Sequence, residues 1–112
     1  WDKGKSGDTF GPTGPYLVTH DEVKNVQNLS MSLDVDGKRM QTGNTSKMIF
    51  NMNFILSYLS NFMSLQPGDI VTTGTPPGVG AGMNPKQFLK AGNKLNLKIE
   101  FLGEQNSTVV AE

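Results

Sequence analysis

The sequence predicts a mainly β chain carrying one amphipathic helix, and three observations predict it. Gly and Pro supply 13 and 6 of the 112 residues while the apolar fraction is only 36%, which favours turn-rich β structure over a helical bundle. Two runs alternate apolar and polar residues as half-buried strands do: Leu29, Met31, Leu33 and Val35, then Leu95, Leu97, Ile99 and Phe101. A third run repeats every four residues instead, with Phe50, Phe54, Tyr58 and Phe62 followed one step later by Ile55, Leu59 and Met63, the spacing of one helix face.

Taken in order, residues 1–15 hold Gly4, Gly7, Gly11, Pro12, Gly14 and Pro15 and read as a looping segment. Residues 16–19 are β-prone and are expected to form a short strand. Residues 20–28 are charged and polar, a surface connection. The strand at 29–35 meets Asp36-Gly37, the favoured two-residue hairpin turn, so residues 38–41 are expected to return antiparallel. Polar residues 42–46 offer helix caps before a helix expected over 53–63, whose aromatic stripe is read as core packing. Pro67-Gly68 turns the chain into a short strand at 70–73. The run 74–82 contains Pro76, Pro77 and four glycines, which exclude helix and ladder; loops this long and constrained usually serve a site. Residues 90–93 make another turn before the strand at 95–101, and a last short strand is expected near 108–111.

Composition excludes several functions. Ten basic residues balance ten acidic ones, so no long-range field draws the chain to nucleic acid or an anionic membrane. The lack of cysteine removes disulfides, thiolate zinc and a cysteine nucleophile, and points to a cytoplasmic setting. No apolar stretch is long enough to span a bilayer. Gly4-Lys5-Ser6 imitates the end of a P-loop, but the required upstream glycine is not in the chain and Gly7, Gly11 and Pro12 oppose the helix that should follow. His20, the single histidine, is flanked by Asp21 and Glu22; adjacent side chains rarely meet at one ion, so it reads as part of a solvated connector. No serine is matched to a base and an acid.

Two segments remain. In residues 4–15, Lys5 and Thr9 sit among glycines that let a ligand approach the backbone, and in residues 74–82 Gly74-Thr75 opens a rigid turn. The first, Gly4-Lys5-Ser6-Gly7-Asp8-Thr9-Phe10-Gly11-Pro12-Thr13-Gly14-Pro15, resembles the G-K-x-x-D-T-F-x-P-x-G-P segment of the fumarylacetoacetate hydrolase family. Gln27-Asn28-Leu29, Val35-Asp36-Gly37, residues 41–50, Pro67-Gly68-Asp69 and Thr73-Gly74-Thr75-Pro76-Pro77-Gly78-Val79-Gly80 follow in family order, as do Leu89-Lys90-Ala91-Gly92 and Leu102-Gly103-Glu104-Gln105. Within the family the chain looks most like bacterial diketo-deoxy-sugar-acid hydrolases and ureidoglycolate lyases.

The resemblance implies a mixed β-roll of which residues 1–112 are the C-terminal part of a single catalytic domain, incomplete and inactive alone. It implies a hydrolase that cleaves a carbon-carbon bond in 2,4-dioxo acids, with lyase, decarboxylase, hydratase or isomerase chemistry on 2-oxo acids as alternatives. It implies Mg2+, or Mn2+ or Ca2+, on carboxylate ligands that precede this chain, and a homodimeric intact protein acting on a small-molecule 2-oxo acid. Lys5 and Thr9 correspond to the family's catalytic lysine and its accompanying threonine beside the metal. Thr75 and Gly74 correspond to the substrate-binding loop, with Gln41 and Thr45 as further polar contacts. Gly7 stands where many relatives carry a bulkier residue, so packing behind Lys5 is expected to differ, and His20 does not replace the family's general base. A non-catalytic reading, a truncated binding or assembly module, is the rival from another class.

Overall fold

The computed structural model describes residues 2–111. Its centre is a four-stranded antiparallel sheet of β1 (Ser30–Val35), β2 (Lys38–Asn44), β3 (Lys94–Ile99) and β4 (Gly103–Thr108), in the spatial order β2-β1-β3-β4. Among the described residues one α-helix, α1 (Met52–Ser60), lies between β2 and β3 in the chain, with short 3-10 turns at Thr45–Lys47 and Gly80–Gly82. The mainly β class with a single helix is therefore the observed one.

The hairpin from β1 to β2 forms because Asp36 and Gly37 both take positive φ, 50° and 78°, the backbone a twisted two-residue turn requires. The Asp36 carboxylate then accepts from Asn93 Nδ2 and Lys94 N, each at 2.7 Å, tying the turn to the start of β3. Strand β2 runs on to Asn44, beyond the expected residue 41, because Ser30, Met31 and Ser32 offer ladder partners to Asn44, Gly43 and Thr42. The register shifts between Leu33 and Asp34, whose partners are Gln41 and Arg39, so Met40 is the extra residue of a β-bulge.

Alternation sorts the two faces. Directly paired residues share a face, so Met31, Leu33, Val35, Leu95, Leu97 and Ile99 form an apolar inner face, with Gln41 and Gln105 at its flanks. The outer face pairs Arg39 with Asp34 and Lys98 with Glu104. Among the described residues the most buried apolar ones are Val23 and Leu29, and Thr45 is buried as well. Thr45 Oγ1 accepts from Leu29 N and donates to Val26 O, both at 2.8 Å, locking the 23–29 connector against the end of β2.

Several expectations are corrected. Residues 16–19 and 70–73 form no ladder in the described structure; β propensity alone does not supply a partner. The helix is Met52–Ser60, not 53–63: Asn51 Oδ1 caps it by accepting from Phe54 N, and at its end Phe62 N bonds to Leu59 O in a tightened last turn. The final strand begins at Gly103, not near residue 108, because Phe101 (φ 63°) and Gly103 (φ 85°) make an abrupt turn after β3. Within 74–82, where regular helix was excluded, Gly80–Gly82 makes one 3-10 turn. The aromatic stripe is not packed into a core among the described residues: Phe50, Phe54, Tyr58 and Phe62 are 49–69% exposed; Phe50, Phe54 and Tyr58 stack in turn at centroid distances of 4.9 and 6.1 Å, and Phe62 meets Tyr58 tilted at 5.0 Å.

Candidate functional site

Both glycine-rich segments meet the inner side of the sheet. Residues 74–80 lie along β2 at its bulge. A Cβ on Gly78 (φ 109°) would stand 2.1 Å from Met40 O, and one on Gly43 would stand 2.5 Å from the Pro76 ring; only glycine permits either approach. Gly80 is equally tight against Gln87 O. Gln41, only 9% exposed, reaches from β2 into this loop: its Nε2 donates to Thr75 Oγ1 at 2.8 Å and to Pro76 O at 2.7 Å.

The other segment is held more lightly. Gln105 Nε2 on β4 donates to Gly14 O at 3.0 Å and Pro12 O at 3.4 Å, and Tyr16 covers Gly103, where a Cβ would strike the phenol oxygen. Lys5 and Thr9 are exposed. Thr9 takes φ 65° within a turn closed by Phe10 N to Gly7 O at 3.1 Å. The Phe10 ring lies 3.2 Å from where a Gly7 Cβ would be, so an aromatic three residues on fills the space beside Gly7.

The structure thus joins Gln41 to Thr75 directly, with Gly74 (φ 111°) beginning the same turn. Thr45 is not among them: it is buried, and its hydroxyl is engaged as donor and acceptor inside the fold. Two depressions open on the inner face, about 250 Å³ beneath residues 14–18 and about 790 Å³ between the hairpin and residues 78–93; neither is lined by Lys5, Thr9 or Thr75. Sequence reading missed the part played by Gln105. Its signal was parity, since a glutamine at that spacing from Gly103 falls on the inner face.

The acids do not make a cation site. Asp34 is paired with Arg39, Asp36 with Asn93 and Lys94 N, Asp69 with Gln66 N, Glu100 with Ser30 N and Glu104 with Lys98. No three His, Asp or Glu side chains converge among the described residues, whereas a hard divalent cation takes six or more oxygen ligands. The Arg39 hydrogen bond holds Asp34 below the usual carboxylate range, and the Asn96 hydrogen bond, with Lys98, does the same for Glu104. Among the described residues no helix is long and apolar enough to cross a membrane.

The sequence model described as fumarylacetoacetate (FAA) hydrolase C-terminal matches residues 1–110. The chain belongs to the fumarylacetoacetate hydrolase family. A candidate hydrolase of Burkholderia lata is 58% identical over 106 residues, 94% of this chain and 38% of the relative. The chain therefore spans well under half the length of the curated relatives it matches. Among solved structures, the fumarylacetoacetate hydrolase of psychrophilic Exiguobacterium antarcticum superposes with a TM-score of 0.94 at 37% identity, covering 98% of this chain and 39% of that one. A maleylpyruvate hydrolase from Sphingobium sp. SYK-6, solved with manganese(II) and pyruvate, gives 0.84 at 36% identity over 92% of this chain and 36% of its own. Solved members similar to this fumarylacetoacetate hydrolase family chain include isomerases as well as hydrolases.

Proposed function

We propose that residues 1–112 are the C-terminal part of the catalytic domain of a longer, homodimeric cytoplasmic enzyme that hydrolyses a carbon-carbon bond in 2,4-dioxo acids. The supporting observation is the likeness to a hydrolase solved with a 2-oxo acid in place, together with the intact Lys5, Thr9 and Gly74-Thr75 motifs. In the reaction, water adds to the distal carbonyl and the bond to the central carbon breaks. The bonding pair passes into an enolate of the 2-oxo acid, which is then protonated on carbon. The Lys5 ammonium stabilises the enolate oxygen as charge develops, Thr9 supports it, and the Thr75 hydroxyl with the Gly74-Thr75 backbone orients the carboxylate.

A divalent ion, Mg2+, Mn2+ or Ca2+, would polarise the oxo acid, but the acids among the described residues do not fit one, so its ligands are assigned to the remainder of the whole protein. Gln41 supports the substrate loop, and Thr45 lies in the same stretch without a free hydroxyl proton.

The test is an assay of the whole protein with magnesium on acylpyruvate and diketo sugar acids, beside its Lys5→Ala variant. The variant is expected to lose about a hundredfold or more in kcat; full activity in it would remove Lys5 from the mechanism. The presence of isomerases among the solved relatives favours one second reading, isomerisation through the same enolate. Product analysis separates the two, because only hydrolysis yields two acids.

A further inference from the structure

Gln41 and Gln105 end one row of the sheet. Gln41 is paired with Leu33, Leu33 with Leu97, and Leu97 with Gln105. The two amides therefore leave the same face at opposite ends of a row three strand spacings wide, roughly 14 Å. Between them stand two leucines with nothing to donate or accept. Each amide holds one of the two glycine-rich segments: Gln41 takes Thr75 and Pro76, and Gln105 takes Pro12 and Gly14.

The chemistry of the partners fixes which way each amide faces. The carbonyls of Pro76, Pro12 and Gly14 accept only, so the NH2 end must meet them. With one Gln41 hydrogen on Pro76 O, the other is directed to Thr75 Oγ1, which is thereby an acceptor. The Thr75 proton is left for another oxygen, since its own approach to Pro76 O is long, 3.5 Å.

We propose that Gln41 and Gln105 are a matched pair of positioning residues, which set the two loops at opposite ends of one rigid row. Gln41 in addition presents the Thr75 hydroxyl proton to a carboxylate of the ligand. The identity of the ligand rests on the reading under Proposed function; the holding of the loops does not.

Double-mutant cycles in the whole protein test this with acylpyruvate as substrate. Gln41→Met is expected to raise KM about tenfold with kcat little changed, and to add much less than that factor to Thr75→Ala, because both remove the Gln41–Thr75 bond and only the Pro76 bond is left to lose. Gln105→Met and Thr75→Ala should multiply. Multiplying effects of Gln41→Met and Thr75→Ala would overturn the proposal. Amide hydrogen exchange supplies a readout independent of turnover: Gln41→Met should speed exchange at residues 74, 75 and 78–82 and leave 4–14 unchanged, with the reverse for Gln105→Met. Unaltered exchange, or the same change in both segments from either variant, would overturn it even if the substrate assignment stands. Loss of turnover on every oxo acid with segment-specific exchange intact would remove only the substrate assignment. If Gln41→Met does not fold, Gln41→Glu, of the same size, replaces it in both measurements.

Discussion

Residues 74–82 and residues 4–15 are both rich in glycine and proline, yet they meet the sheet in opposite ways. The first is pressed onto the β2 bulge, with Gly78 and Gly43 at separations no side chain tolerates and a buried amide gripping its turn. The second has open space around Gly4 and Gly11 and is held through longer bonds from β4, at the opposite edge of the sheet from β2. Glycine thus serves close backbone approach in one loop and turn-making in the other. The substrate-side loop has its shape built by the sheet, whereas the lysine segment is shaped mainly by its own turns.

The largest expected effect is at Gly78. Gly78→Ala in the whole protein forces a Cβ into Met40 O at a φ that L residues avoid, and should destabilise by roughly 3 kcal/mol or more while raising KM. Gly11→Ala meets nothing within 4 Å and should change stability by no more than about 0.5 kcal/mol. Thermal unfolding and steady-state kinetics on the two variants check this, and equal losses would erase the contrast between the loops.

A smaller effect is expected at Thr45. Thr45→Val keeps the shape but leaves Leu29 N without its acceptor, which costs about 1–3 kcal/mol. Because Thr45 pins β2 at the end away from its hairpin, the melting temperature should fall while KM stays near wild type. A KM rise like that of Gly78→Ala would mean that docking of residues 74–82 depends on the whole strand and not on the Gln41 end.

Much of this was legible in the sequence, for physical reasons that differ by element. The β1–β2 turn was readable because Asp36-Gly37 encodes its own backbone geometry, and β3 because its alternation reports a half-buried face. Residues 104–107, Glu-Gln-Asn-Ser, carry no β-branched residue before Thr108, so β4 was visible only through pairing with β3. Residues 70–73 show the converse, β-prone side chains that join no ladder in the described structure. The motif carried Lys5, Thr9 and Thr75 into the candidate site, but the bond from Gln41 to Thr75 spans 34 positions and follows from register. The aromatic stripe announced a helix correctly, and its exposure could not be read, since periodicity says which residues share a face and not what lies opposite.

The smallest expected effect lies beneath the loops, on the outer face. Asp34 and Arg39 flank the bulge that docks residues 74–82, and Glu104 stands next to Gln105, which holds residues 12–14. Both carboxylates titrate below their ordinary values in the folded protein. Their contribution is therefore complete above the unfolded-state values and is lost as pH falls through the folded ones, below about pH 4. Glu104 is exposed and Asp34 is partly exposed beside an exposed Arg39, so the contribution is modest and weakens with salt. Asp34→Asn should flatten the acid limb of a pH-stability profile and loosen exchange at residues 74–82 selectively. Glu104→Gln should flatten it too and loosen residues 12–14 instead. If each substitution loosened both segments alike, the two loops would share one support, and the difference between a sheet-built loop and a self-shaped one would be a matter of degree.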